Sequence, residues 1–215
     1  MNLSGERPRR AFAIAACFLA GIFLLWSGWS LWSLRSPAGE PGGRKLCSNE
    51  LAAFQRLKSI AAAQQRYRSA DWDGDGHRTY AAFLAHLWTT LDANGDPVRI
   101  ELLPRNLAFA METPRALDGY FYVDLRWKQT ERHQKRLLDW ETEWAMAALP
   151  KKHGSTGRVV MLIDQSGAIF AKDFNTKRFF LYPSHPEQFG WVRLESPDDL
   201  VSMQSQRLQA AAKQD

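Results

Sequence analysis

Residues 158–173 read RVVMLIDQSGAIFAKD, and the pattern in this stretch decides the fold class. Two apolar runs, residues 159–163 and 168–171, flank the polar residues 164–167. Gly167 supplies the positive φ that a three-residue or bulged turn needs. We therefore expect an antiparallel β-hairpin at this point of the chain.

Further strands are expected on either side of this hairpin. Residues 119–127 alternate as a β-strand does, because successive side chains of a strand point to opposite faces. One face carries Phe121, Val123, Leu125 and Trp127, and the other carries Tyr122, Asp124 and Arg126. Residues 143–149 predict a second strand. An edge strand is expected at residues 179–182 or 191–194.

Helical periodicity dominates the chain before these strands. Ser48 or Asn49 can cap a helix that runs to about Ser69. Its apolar side chains recur at helical spacing: Leu51, Phe54, Leu57, Ile60 or Ala61, and Tyr67. A second helix is expected from Thr79 through residue 91 and a third at residues 104–111. Helices followed by an antiparallel sheet predict an α+β domain, with the apolar face of the first helix on the sheet.

An apolar run at residues 11–34 precedes the soluble part of the chain. Its 24 residues would span about 36 Å as a helix, enough to cross a bilayer core of about 30 Å. The run exceeds the about 7–15 apolar residues of a secretory signal. An uncleaved membrane anchor is therefore favoured over cleavage at residues 36–38 or a lipoprotein signal at Cys17.

Residues near this run indicate its orientation. Tryptophans favour the membrane–water interface, which is the simpler explanation of Trp26, Trp29 and Trp32; a helix-packing surface is the alternative. The positive-inside count is nearly tied, but the three arginines at residues 7–10 form the tighter cluster. We expect a single-pass protein of the bacterial inner membrane, N-terminus in, with a periplasmic globular domain.

These observations divide the chain into five parts. We expect a cytoplasmic N-terminus at residues 1–10, a transmembrane helix at 11–34 and a flexible linker at 35–47. An α+β domain is expected at residues 48–195, followed by a polar C-terminal helix or tail at 196–215. Proline and glycine are dense in residues 36–45, as in flexible linkers.

Charge and cysteine content exclude some classes of function. The chain has 28 basic and 23 acidic residues, and four of the basic and one of the acidic residues lie in residues 1–35. The soluble part therefore keeps 24 basic and 22 acidic residues. This near balance gives no basic surface for nucleic acid. Cys17 lies in the membrane run and Cys47 in the expected linker, so no internal disulfide is expected.

Three short motifs, in order, resemble those of type IV pilin-like and pseudopilin-like proteins. They are Asn49-Glu50-Leu51 through Tyr67, Asp118-Gly119-Tyr120-Phe121-Tyr122, and residues 156–169 with Asp164-Gln165-Ser166-Gly167. The resemblance implies a pilin-like fold, with a long helix on a small antiparallel sheet. The glycine–phenylalanine processing site of pilins is absent, so it implies that this fold is carried on a plain, unprocessed membrane anchor.

The most site-like motif is residues 71–76, Asp-Trp-Asp-Gly-Asp-Gly. Asp71, Asp73 and Asp75 alternate as the carboxylates of an EF-hand Ca²⁺ loop do, and Gly76 permits the tight turn. His77 would add a backbone carbonyl and Thr79 a side-chain or water-mediated contact. Ala82 stands where the bidentate glutamate would be, so binding would be weak. The alternative is an Asx-rich turn that caps the second helix. Residues 92–96 repeat the alternation, and a solvated turn is expected there.

No arrangement typical of catalysis is found. The histidines form no metal-binding spacing, and no phosphate loop or nucleophile motif is present. His86 is expected to be a partly buried structural residue. A basic run at residues 128–136 is most simply a solvated hairpin loop; contact with lipid headgroups or an acidic partner is the alternative.

The leading hypothesis is a non-catalytic envelope protein that acts in assembly or scaffolding, with membrane lipid and other envelope proteins as partners. A single-span accessory subunit of a larger membrane complex is the second hypothesis, with Trp26, Trp29 and Trp32 packed on that complex. An enzyme is the third, and it lacks any supporting motif.

Overall fold

The computed structural model describes residues 43–111, 115–132, 134–176 and 179–211. The chain divides into two units, residues 1–41 and 42–215, and all the described residues belong to the second. None of the described helices combines the length and the hydropathy needed to cross a bilayer. The expected membrane segment, with Trp26, Trp29 and Trp32, lies outside the described residues.

The domain is α+β, as predicted. Its helices are α1 (Gly43–Arg68), α2 (Arg105–Ala108) and α3 (Pro197–Ala211), with 3₁₀ turns at Leu84–Leu87 and Pro186–Phe189. Its strands are β1 (Thr89–Leu91), β2 (Pro97–Arg99), β3 (Tyr120–Asp124), β4 (Trp127–Gln129), β5 (Lys135–Leu137), β6 (Ala145–Pro150), β7 (Val159–Asp164), β8 (Ile169–Asp173), β9 (Leu181–Tyr182) and β10 (Val192–Leu194).

Five of these strands form an antiparallel sheet in the order β10-β8-β7-β6-β3. The predicted hairpin is β7–β8, with Val159 opposite Asp173 and Gly167 at φ 73°. The predicted edge strand at residues 191–194 is β10. The strands β1 and β2 form a separate hairpin, and β4 pairs antiparallel with β5 and parallel with β9 in a third sheet.

Both faces of the five-stranded sheet are covered, which explains the unbroken apolar run of β7. Alternate residues such as Met161 and Ile163 join a core cluster with α1, whereas Val160 and Leu162 join a second cluster on the opposite face. The predicted face of α1 lies on the sheet, since Phe54, Leu57 and Ile60 are buried there. This prediction is confirmed.

The motifs near residues 49, 118 and 156 meet in one polar junction. The Asn49 Nδ2 donates to Thr156 O at 2.8 Å, and the buried Glu50 carboxylate accepts from the backbone N–H of Arg158 at 2.8 Å. A Cβ on Gly119 would lie 2.8 Å from the Thr156 Cβ. This close approach and the φ of 78° both favour glycine directly before β3.

Three helix predictions need correction. The helix α1 begins at Gly43, inside the expected linker, rather than after a cap at Ser48 or Asn49. The expected helix from Thr79 through residue 91 is absent; the chain there forms a short 3₁₀ turn and β1. The third helix is shorter than expected, at Arg105–Ala108, and the polar C-terminal segment is helical in α3.

Tertiary hydrogen bonds explain why residues 79–91 are not a helix. The backbone N–H of Tyr80 donates to Trp140 O at 2.7 Å, that of Ala81 to the Gln64 Oε1 at 2.9 Å, and that of Leu84 to the Asp124 Oδ1 at 3.0 Å. In a helix from Thr79 the Leu84 N–H would bond to Tyr80 O, so its bond to Asp124 replaces a helical one. The Tyr80 and Ala81 N–H groups would lie in the first turn without a helical partner, and their bonds fix the path of the backbone there. The apolar side chains are still buried, but on an irregular backbone.

Candidate functional site

The structure brings together the three carboxylates of the expected calcium loop. One oxygen each of Asp71, Asp73 and Asp75 lies within 4.8 Å of the others. Asp71 accepts from the backbone N–H of Gly74 at 2.8 Å and of Gly76 at 3.0 Å, and both glycines have positive φ. The loop is therefore closed by its own hydrogen bonds, with the remaining carboxylate oxygens grouped on an exposed surface.

The electrostatics of this loop suit a cation. Partial burial raises the pKa of Asp73, and the charge of Asp75 and a hydrogen bond with Asp71 raise it further. The oxygen-only ligand set fits Ca²⁺. The His77 N–H donates to the Asp75 Oδ1 at 2.7 Å, which holds the chain beyond the glycines against the loop. The ligand roles expected of the His77 carbonyl and of Thr79 stay predictions.

Calcium is expected to stabilise the protein modestly. With a Kd of about 10⁻⁴–10⁻³ M, Ca²⁺ at ten times Kd should add roughly 1.4 kcal/mol, because the ion relieves the repulsion of three carboxylates. The measurement is thermal unfolding of the full chain in detergent, with calcium or a chelator. Asp73→Asn should abolish the difference, whereas Asp92→Asn, in the solvated turn between β1 and β2, should preserve it. An identical midpoint with and without millimolar calcium would leave only the turn interpretation.

The second site is a buried carboxyl that the sequence pattern did not single out. The Asp124 Oδ1 accepts from the N–H of Leu84, and its Oδ2 has no hydrogen-bond partner among the described residues. Burial raises the pKa of Asp124 to about 7, against the smaller opposing effects of the Leu84 N–H and the Arg126 charge. The alternation of β3 placed Asp124 on a face with Tyr122, but burial of that face depends on the 3₁₀ turn above it.

Asp124 should make the stability depend on pH. Its folded pKa lies above its unfolded value, so its contribution is fully present below about pH 4 and is lost as the pH rises through about 7. We expect Asp124→Asn to be more stable than the wild type at pH 8, because the amide oxygen can still accept from Leu84. Urea unfolding of the full chain at pH 4, 6 and 8 measures this. The exposed Glu141→Gln is the control, and parallel profiles for wild type and Asp124→Asn would contradict the assignment.

The basic run forms part of a small sheet rather than a solvated loop. Lys128 lies on β4 and Arg136 on β5, and both bind the Glu143 carboxylate: the Lys128 Nζ at 3.1 Å and two Arg136 nitrogens at 2.6 Å. Hydrogen bonds from Arg136 lower the pKa of Glu143 to about 2, with a smaller contribution from Lys128. Arg132 lies exposed in the connecting turn, and His133 lies outside the described residues.

The opposite face of this small sheet carries three apolar residues beside the polar pair Gln129 and Lys135. Trp127 lies directly opposite Leu137 on one side and Leu181 on the other, and opposed residues of neighbouring strands share a face. We call these three residues the apolar row. The exposed fractions of Trp127 and Leu137 are 39% and 59%. Beside the row, Phe180 is 56% exposed, with the Lys135 Nζ 5.7 Å from its ring centre.

The expected structural histidine is confirmed. His86 is half-buried in the 3₁₀ turn, its ring 5.0 Å from that of Phe83, and burial lowers its pKa. A neutral imidazole at this place packs as an aromatic side chain.

Comparison with known families adds one finding. A family model described as "Protein of unknown function (DUF2950)" matches residues 27–180. The chain belongs to this family. The match takes in α1 through β8 and therefore includes the calcium-like loop, Asp124 and most of the apolar row. No curated protein and no solved structure matches this family member.

Proposed function

We propose that this family member is a non-catalytic, membrane-anchored protein of the bacterial envelope that acts in assembly or scaffolding. Its α+β domain would lie on the periplasmic side of the inner membrane and bind partner proteins. The observation that carries the proposal is the apolar row, in which Trp127 and Leu137 are exposed and Leu181 lies half-buried beside Trp127. Exposed contiguous apolar surface is typical of interaction sites.

The back of the small sheet supports this interpretation. Tyr182, on the reverse face, is buried in the second core cluster, and Glu143 holds Lys128 and Arg136 there. The sheet is therefore fixed to the domain, and the apolar row is presented on a stable surface. Within the described residues, β5 pairs with β4 alone, so its outer edge is open to a further strand.

The apolar row and the N-terminal part of α1 lie toward different ends of the domain. On α1, Asn49 contacts Thr156 near the start of β3, and Gln64 contacts Ala81 near the end of β3. Asn49 and Gln64 are about 22 Å apart along the helix axis. Because β4 follows β3 directly, the row lies toward the end of the domain that is remote from residue 49.

The arrangement of α1 on an antiparallel sheet supports the pilin-like part of the proposal. A long helix buries one stripe, Phe54, Leu57 and Ile60, against the sheet, as the resemblance implies. Kinship with pilins remains a proposal that rests on this arrangement and on the order of the three motifs.

Site-specific photo-cross-linking tests the proposed function. A photoreactive residue at position 137 of the full chain, in native membranes, should give one discrete adduct with an envelope protein. The matched control is position 91, since Leu91 is also 59% exposed but lies on β1. Trp127→Ser should abolish the adduct without lowering the unfolding temperature. Labelling of lipid alone, or equal labelling from positions 137 and 91, would refute the proposed partner surface.

A further inference from the structure

Two adjoining cavities lie beside the hairpin β1–β2 and the short helix α2. Their volumes are about 630 and 460 Å³, and they share Arg105 and Phe109 in their lining. The larger cavity extends to Arg115, and the smaller extends to Trp88 and Arg99. We call the two adjoining cavities, lined by these five residues, the arginine groove.

The arginine groove carries excess positive charge. The Arg99 Nε binds the Glu101 Oε1 at 2.5 Å, and its guanidinium lies 5.0 Å from the centre of the Trp88 ring. Arg105 and Arg115 are both exposed, and within the described part of the chain neither is paired with a carboxylate. Of the described residues that line the groove, three carry a guanidinium group and none carries a carboxylate, and Arg105 and Arg115 are available to a ligand.

The lining combines this charge with apolar surface. Trp88 and Phe109 are half-buried, so their rings are held by the domain while part of each remains accessible. A guanidinium matches a carboxylate with two parallel hydrogen bonds, and an aromatic ring accepts an apolar side chain at its face. The groove is thus complementary to a ligand in which carboxylates alternate with apolar groups.

The shape favours an extended ligand over a small anion. Both cavities are open to solvent, and they adjoin through Arg105, with Arg115 and Arg99 in different cavities. An exposed guanidinium alone holds a small anion weakly, because water and salt screen the charge. A peptide can contact Arg105 and Arg115 together and place a side chain on Phe109, since all three line the larger cavity.

The geometry points to the arginine groove as the binding site for an extended acidic peptide segment of a partner protein. Its carboxylates bind Arg105 and Arg115, and an apolar side chain packs on Phe109. This site shares no lining residue with the apolar row, so it adds a second recognition surface to the domain. Its test is independent of cross-linking at position 137.

Fluorescence anisotropy with the full chain in neutral detergent tests the site. The probe is a labelled ten-residue peptide of glutamate and aspartate with one central phenylalanine. We expect saturable binding, about tenfold weaker for Arg105→Gln and for Arg115→Gln, because each removes a charge-assisted hydrogen bond. Arg193→Gln, an exposed arginine on β10, is the matched control and should bind as the wild type does. All three positions are exposed, so the fold should tolerate each change.

Two further measurements separate a peptide site from other ligands. The same peptide with glutamine and asparagine for its acidic residues should not bind, and millimolar inorganic phosphate should displace the acidic peptide only partly. Equal binding of the neutral peptide, complete displacement by phosphate, or equal weakening by Arg193→Gln would overturn the inference. Absence of binding at millimolar peptide would overturn it as well.

Discussion

Gly157→Ala is expected to destabilise the domain by about 3 kcal/mol or more, because the added methyl group has no space. A Cβ at this position would lie 2.6 Å from the Tyr120 Cζ and 2.7 Å from its Cε2, and it would overlap the hydroxyl. The Tyr120 ring is fully buried, and its hydroxyl donates to Val159 O at 2.9 Å, so it cannot move aside. Overpacking typically costs about 1–3 kcal/mol and occasionally more, and a cost at or above the upper end is expected here because the ring is held in place.

The control for this prediction is Gly154→Ala. Gly154 has φ 77° and nothing near its Cβ position, so this change should cost only about 1 kcal/mol of backbone strain. Gly157 has no positive φ, and its cost is therefore steric alone. Urea unfolding of the full chain measures both. The double variant with Tyr120→Ala should lose less than the two single changes together; strict additivity would show that the contact is not the cause.

Phe54→Ala is expected to lower the free energy of unfolding by about 3–5 kcal/mol, through the lost burial and the cavity that remains. Phe54 is 3% exposed and lies in the core cluster between α1 and the five-stranded sheet. Urea unfolding of the full chain, followed by circular dichroism, gives the value.

The adjacent Gln55→Ala is the matched control for Phe54. Gln55 is exposed, and a change on that face of α1 should alter stability by no more than about 0.5 kcal/mol. A loss below 1 kcal/mol for Phe54→Ala would mean that a different face of α1 supports the sheet.

The calcium-like loop was the most readily predicted candidate site. Asp71, Asp73 and Asp75 are close in sequence, and the glycines at positions 74 and 76 permit the turn that groups them. Local spacing therefore sufficed to place the three carboxylates. Calcium binding itself remains a prediction, which the unfolding experiment tests.

The other candidate sites could not be predicted from local spacing. The apolar row joins Trp127, Leu137 and Leu181, and β4 pairs with β9 across more than fifty residues. The arginine groove depends on Arg99, Arg105 and Arg115, which stand on different segments and show no periodicity. From the sequence alone, each of these arginines is most simply an exposed, solvated side chain. Only the folded chain places the three in adjoining cavities.

The sequence by itself determined the α+β class, the hairpin β7–β8 and the buried face of α1. These features follow from periodicity within one segment, since a helix buries every third or fourth residue and a turn needs glycine at one position. Only the tertiary structure decided the conformation of residues 79–91, because Asp124 takes the Leu84 N–H that a helix from Thr79 would have used, and Trp140 and Gln64 fix the backbone at Tyr80 and Ala81. It also decided which residues of the small sheet face solvent, since that depends on the pairing of strands far apart in the chain.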